Sequence, residues 1–146
     1  MYPEDMIAPM RKETREMGFQ ELKTSAEAQD AMANKTGSTL VFVNSVCGCA
    51  AGMARPGLAL ALKEAPAKPD HLYTVFAGND REATDVVRSH FHGYPPTSPS
   101  MALFKDGKLV KMVQRMDIEG HTAQEVSSSL MEAFKTHCSP QTTAVN

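Results

Sequence analysis

Met6, Ile7 and Met10 recur at i, i+1 and i+4 within a segment, 2–17, whose other positions are largely Glu, Lys and Arg. That spacing predicts an amphipathic helix lying against a core, and its acidic residues argue against a seat on an anionic membrane surface. Residues 18–22 read as a short strand. Thr24 followed by Glu27 is a capping box, which predicts a helix over 25–34 that stops near Gly37. The continuous apolar run 40–43 has the composition of a central strand covered on both faces by helices. Residues 50–63, rich in Ala, Leu and Met, read as a helix that Pro56 must kink. After a Pro-containing connector at 65–69 comes a second buried strand, 71–77. Asn79 with Glu82 predicts a further capping box and a helix to about Ser89. A loop rich in Gly and Pro spans 90–99. The runs 101–104 and 109–113 flank Asp106-Gly107, a strong hairpin signal. Thr122 and Glu125 cap a last helix, in which Val126, Leu130 and Phe134 recur every four residues and beyond which Pro140 stands.

Alternating helices and strands build a parallel sheet, and a hairpin near the end adds an antiparallel pair, so the expected class is α/β with a central mixed sheet flanked by helices. An extra helix precedes it at the N-terminus. With 146 residues, 42% of them hydrophobic and 22% charged, the chain suits one well-buried domain rather than two. We read that domain as 1–138 and 139–146 as a flexible tail.

Fifteen Lys and Arg stand against 17 Asp and Glu, a net charge of -2, so no basic field attracts nucleic acid or anionic membrane. No apolar run approaches the length of a membrane span, and Glu4 and Asp5 fall where a secretion signal would be basic and then apolar. The expected location is the cytoplasm. Three cysteines are too few for a secreted disulfide framework, yet Cys47 and Cys49 lie two positions apart.

In an α/β sheet the turn after a central strand lies at the carboxyl edge, where ligands bind, and here that turn reads Asn44-Ser45-Val46-Cys47-Gly48-Cys49. Cys47 falls just before a predicted helix, whose free N–H groups and dipole favour a thiolate, so it is the candidate nucleophile. Cys49, the less exposed of the two, is placed to attack a mixed disulfide on Cys47 and so to resolve it. Gly48 permits the tight backbone between them. A disulfide between residues i and i+2 closes a small ring, which makes the pair more oxidising than a CxxC pair. Asn44, Ser45 and Arg55 are positioned to hydrogen-bond or pair with the Cys47 thiolate, or else to cap and pack the helix. The same two thiolates also suit a metal-binding or metal-delivery module holding Cu(I) or Zn, with Cys138, His90 or His92 completing a zinc site. A third reading is a redox-sensing protein whose disulfide switches a surface rimmed by Tyr94 and Met53.

The segment Pro99-Ser100-Met101-Ala102-Leu103-Phe104-Lys105-Asp106-Gly107 resembles the thioredoxin-fold stretch in which a cis-proline opens a strand beside the active cysteines. Pro99 is the matching position. More narrowly, Val43-Asn44-Ser45-Val46-Cys47-Gly48-Cys49-Ala50-Ala51-Gly52 with Ala54-Arg55-Pro56-Gly57 resembles the bacilliredoxin family. So do Tyr2-Pro3-Glu4, Gly120-His121 and His137-Cys138. The resemblance implies a thioredoxin-like fold and a thiol–disulfide oxidoreductase that needs no bound cofactor. Its implied substrates are S-thiolated or disulfide-containing cytosolic proteins, and its implied small partner is a low-molecular-weight thiol, bacillithiol. It also implies that Cys47 takes the bacillithiol moiety and that Cys49 resolves it, with disulfide isomerase activity attributed to family members.

Overall fold

The structure is a computed structural model that describes residues 1–140. Its chain order is α1 (Glu4–Glu16), β1 (Gln20–Glu21), α2 (Ser25–Ala33), β2 (Ser38–Asn44), a π-helical turn (Ala50–Ala54) running into α3 (Arg55–Glu64), and β3 (His71–Phe76). There follow α4 (Arg81–Arg88), β4 (Ser100–Lys105), β5 (Lys108–Val113), a short α5 (Arg115–Ile118) and α6 (Ala123–His137). The sheet has five strands in the order β1-β3-β2-β4-β5. β1 and β2 run parallel to β3, whereas β4 is antiparallel to both β2 and β5. This is the mixed sheet that the element order predicted.

Strand β2 occupies the centre and is buried along its whole length. Its side chains alternate between two cores. Leu40 and Phe42 pack with Leu58, Ala61, Leu130 and Phe134 on the α3/α6 face. Val41 and Val43 pack with Ala28, Met32, Ala83 and Val87 on the α2/α4 face. The hairpin between β4 and β5 turns at Asp106 and Gly107, both with positive φ (49° and 82°), which is the combination a type I′ turn requires.

Gly57 sets how closely α3 approaches α6. A Cβ built there would lie 2.7 Å from Val126 Cγ1 and 3.2 Å from the Ala123 carbonyl oxygen, inside contact distance. Gly57→Ala is therefore expected to destabilise the fold by about 1–3 kcal/mol through overpacking, read as a lower urea midpoint.

The capping boxes at Thr24/Glu27 and Thr122/Glu125 form as expected. The one expected at Asn79/Glu82 does not. Asp80 is the N-cap of α4, and its carboxylate accepts from Arg11 Nη1 at 2.9 Å, Arg11 Nη2 at 2.8 Å and the Phe76 N–H at 3.0 Å. Asn79 instead holds the N-terminal segment, accepting from the Tyr2 N–H and donating to the Tyr2 carbonyl and to Glu4. The buried stripe of α1 is accordingly Ile7, Arg11 and Thr14, while Met6, expected on the inner face, is exposed. The Arg11 guanidinium also lies 5.4 Å from the Phe76 ring centroid, a cation–π distance. At the other end of the chain, Pro140 forms an isolated bridge with Ala67. The rest of the segment read as a tail, 141–146, lies outside the described residues.

Candidate active site

The carboxyl end of β2 leads through Asn44 and Ser45 directly to the two close cysteines. The Cys47 carbonyl accepts from the N–H groups of Ala50 and Ala51, at 3.1 and 3.3 Å, so Cys47 occupies the N-cap position of the helical run that follows. The next turn widens to π geometry, with the Arg55 N–H donating to the Ala50 carbonyl, immediately before Pro56. Pro56 has no N–H to continue a regular ladder, and the break expected there takes this form.

Cys47 is half-buried, Cys49 is buried, and their sulfurs lie 2.7 Å apart. Burial pushes the Cys47 thiol up, but it is outweighed by the Cys49 thiol, the Ser45 hydroxyl and the N–H groups of Ala50 and Cys49. The net shift is below the ordinary thiol value. Cys49 moves the opposite way, raised by burial and by the neighbouring Cys47 sulfur. The two thiols are thus set apart in acidity by their surroundings.

A hydrogen-bonded frame holds this loop. Ser45 Oγ accepts the Cys47 N–H at 3.2 Å, and the Ser45 N–H donates to Asn44 Oδ1 at 2.9 Å. Arg55, only 3% exposed, donates from Nη1 to Asn44 Oδ1 at 2.9 Å and to the Ser45 carbonyl at 3.1 Å. Its Nε donates to Glu13 of α1 at 3.2 Å, and Asn44 Nδ2 donates to the Met10 carbonyl of the same helix at 3.4 Å. Ser45 thus stands beside the Cys47 sulfur, while Arg55 and Asn44 direct their hydrogen bonds to the loop backbone and to α1. Gly48 has open space where a Cβ would stand.

The Ser98-Pro99 bond is cis. Because Val43 pairs with Ser100, Pro99 stands across from Asn44 at the mouth of the cysteine loop. Residues unflagged by sequence reasoning complete this edge. Arg115, on α5, donates from its backbone N–H to Thr97 Oγ1 at 3.3 Å and from Nη1 to the Ser98 carbonyl at 3.4 Å. Ile118 of the same helix is buried in the cluster that contains Cys49, and exposed Met116 lies between them in sequence. Met53 packs against that cluster too, but Tyr94 borders a separate cavity with Phe91 and Arg88.

The extra ligands that a zinc site would need lie elsewhere. Cys138 is buried beside Ser38, at the opposite end of β2, about 20 Å of strand from the cysteine loop. That distance also rules out a disulfide between Cys138 and either active-loop cysteine of the same chain. His90 and His92 line a small cavity with Thr39 and Lys35, at the same far end. Among the described residues, no group of three or more His, Cys, Asp or Glu side chains is placed to hold a metal ion.

A family model described as disulphide isomerase matches residues 2–138. A bacilliredoxin of Geobacillus kaustophilus is 50% identical over 137 residues, covering 94% of each chain. The chain belongs to the bacilliredoxin family. Another member, from Koribacter versatilis, is 49% identical over 138 residues, with 94% of each chain covered. Among solved structures, a thioredoxin of Fasciola hepatica superposes with a TM-score of 0.54 at 21% identity, covering 82% of this chain and 99% of that one. Oxidised mitochondrial thioredoxin 3 of Saccharomyces cerevisiae gives 0.52 at 17%, covering 82% and 95%. These neighbours establish the thioredoxin-like fold, here with the additional helix α1. Family and fold together support a thiol–disulfide oxidoreductase and disfavour the metal module. Among the described residues, no helix is long and apolar enough to cross a membrane.

Proposed function

We propose that this bacilliredoxin-family chain removes a low-molecular-weight thiol, bacillithiol in the reading its family supports, from S-thiolated proteins in the cytosol. The observation that carries the proposal is the half-buried Cys47 at a helical N-cap, its sulfur 2.7 Å from that of the buried Cys49. The Cys47 thiolate attacks the small-thiol sulfur of the mixed disulfide, and that S–S bond breaks. The protein thiolate leaves and takes a proton from water. The small thiol is now disulfide-bonded to Cys47. Cys49 loses its proton and attacks the Cys47 sulfur, releasing the small thiol as thiolate and leaving a Cys47–Cys49 disulfide. The pair has supplied two electrons, and a thiol reductant must restore them before the next cycle. Where the Cys47 thiolate instead attacks a disulfide within a substrate protein, the mixed disulfide joins Cys47 to that protein. A second substrate thiolate then attacks the substrate's own sulfur, Cys47 leaves as thiolate, and the net result is isomerisation.

Gly48, Asn44, Ser45, Arg55 and Pro99 serve in this reading as the frame that holds the pair in place. The rising acidity from Cys49 to Cys47 divides the roles, since an attacking thiol acts as thiolate and a resolving thiol can wait protonated. The test is release of the small thiol from an S-bacillithiolated protein by the reduced enzyme, followed against pH. Attack needs the ionised sulfur, so activity rises with pH through the Cys47 ionisation and is half-maximal below the pH expected of an ordinary thiol. Ser45→Ala removes one hydroxyl that favours the thiolate, so it is expected to move that midpoint upward. Iodoacetamide labelling of Cys47 against pH provides the independent reading. A midpoint at the ordinary thiol value in the parent protein, or no release of small thiol, counts against the proposal.

A further inference from the structure

Arg115 is a partly exposed cation at the mouth of the cysteine loop, and two unrelated contacts anchor it there. Its backbone N–H is held by Thr97 Oγ1, and its Nη1 by the carbonyl of Ser98, the residue preceding cis-Pro99. Ile118, three positions on and so on the same helical face, is buried in the cluster containing Cys49, against which Cys47 packs. Arg115 therefore occupies the solvent rim of the patch whose floor holds the two sulfurs. Its side chain is 43% exposed. Besides Ser98, its only acceptor among the described residues is Glu119, at 3.2 Å and itself 61% exposed. A guanidinium has five N–H donors, so most of this one's capacity is open to a ligand.

We propose that Arg115 is a specificity-determining residue that binds a carboxylate of the small thiol, so that this site prefers anionic low-molecular-weight disulfides to neutral or cationic ones. The inference rests on Cys47 carrying out thiol–disulfide exchange. The charge of Arg115 also acts on both sulfurs and helps draw the Cys49 thiol down against its burial. A planar guanidinium is suited to bidentate carboxylate recognition, and its half-exposed position allows exchange with each new substrate. Glu119 is its competitor: a substrate carboxylate displaces a mobile surface ion pair, which by itself is worth little.

The test uses the full chain and three disulfide probes: glutathione disulfide, net negative; bis(2-hydroxyethyl) disulfide, neutral; and cystamine, positive. The readout is the ratio of kcat/KM for the negative probe to that for each of the others, at low and high salt. Taking ratios cancels any general effect on cysteine reactivity. The parent protein is expected to favour the negative probe over the positive one by about tenfold at low salt, with the preference falling as salt screens the charge. Arg115→Gln is expected to lose most of that preference, and Arg115→Lys to keep part of it. Glu119→Gln frees the guanidinium and is expected to raise it. Equal ratios in the parent and Arg115→Gln proteins overturn the assignment of Arg115 and leave the exchange reading standing. Turnover of none of the three probes overturns the assignment of Arg115 as a reader of charge, and the exchange reading falls with it only if the parent protein also fails to release the small thiol from an S-bacillithiolated protein.

Discussion

Cys49→Ser is expected to accumulate a mixed disulfide on Cys47, seen as a gain of one small-thiol mass on the intact protein. Cys47→Ser is expected to lose turnover by at least about a thousandfold. The asymmetry follows from the geometry. Cys47 is the less buried of the two and stands at the N-cap, and its thiol is lowered by the Cys49 thiol, the Ser45 hydroxyl and two backbone N–H groups despite its partial burial. Cys49 is buried and raised, which makes it a poor first attacker but leaves it 2.7 Å from the sulfur it must reach. Serine at 49 removes that second attack while leaving the first intact, so the intermediate waits for an external thiol. Serine at 47 removes the first attack, and the buried Cys49 cannot replace it. Cys138 offers no rescue in either variant, being at the far end of β2, where burial also raises its thiol. Full activity in both single variants would sink the mechanism.

How far such chemistry is legible in a sequence depends on whether the partners are near one another in the chain. Thr24 with Glu27 and Thr122 with Glu125 each complete a capping box within four residues, and both form. Asp106-Gly107 dictates its turn locally, because few residue pairs accept positive φ twice in succession. Cys47 is legible for the same reason: an apolar strand runs almost directly into it, and a helix-forming stretch follows. The Asn79/Glu82 box fails because Asp80 is claimed by Arg11, 69 positions away, and no local pattern records that partner. The inner face of α1 is only partly legible on the same account: Ile7 is buried as the pattern predicts and Met6 is not, and a hydrophobic stripe cannot reveal a buried arginine. The four-residue helix α5 is begun by Gln114, whose N–H donates to the Asp117 carboxylate at 2.9 Å, an unusual capping pair that gives little signal. Arg115 is consequently invisible until the β4–β5 hairpin brings it to Ser98. The cis bond at Pro99 is legible only through resemblance to the thioredoxin-fold stretch, for nothing in the composition of the 90–99 loop requires it.

Asp80→Ala is expected to destabilise the protein by about 3–5 kcal/mol, the loss typical when one partner of a buried ion pair is removed. Arg11 is 5% exposed and Asp80 6%, and the two are joined by paired N–H···O bonds of 2.9 and 2.8 Å. Without the carboxylate, the guanidinium stays buried with Glu4, itself largely exposed, as its nearest remaining acceptor, and the Phe76 N–H loses its acceptor as well. Urea unfolding at neutral pH gives the measurement. Replacing both members, Arg11→Met with Asp80→Leu, is expected to recover most of the loss, because no uncompensated charge is then left inside. A cost below about 1 kcal/mol for Asp80→Ala would mean that the pair behaves as a solvated surface bridge. The consequence reaches the cysteines through α1. That helix is pinned to α4 by Arg11, and it presents Glu13 to Arg55 and the Met10 carbonyl to Asn44, the two residues that hold the loop before Cys47. Loosening α1 therefore relaxes the frame around Ser45 and the Cys47 N–H, so the Asp80→Ala protein that remains folded is also expected to label more slowly at Cys47 near neutral pH. The double replacement, which restores the seat of α1, is expected to recover that labelling rate along with stability.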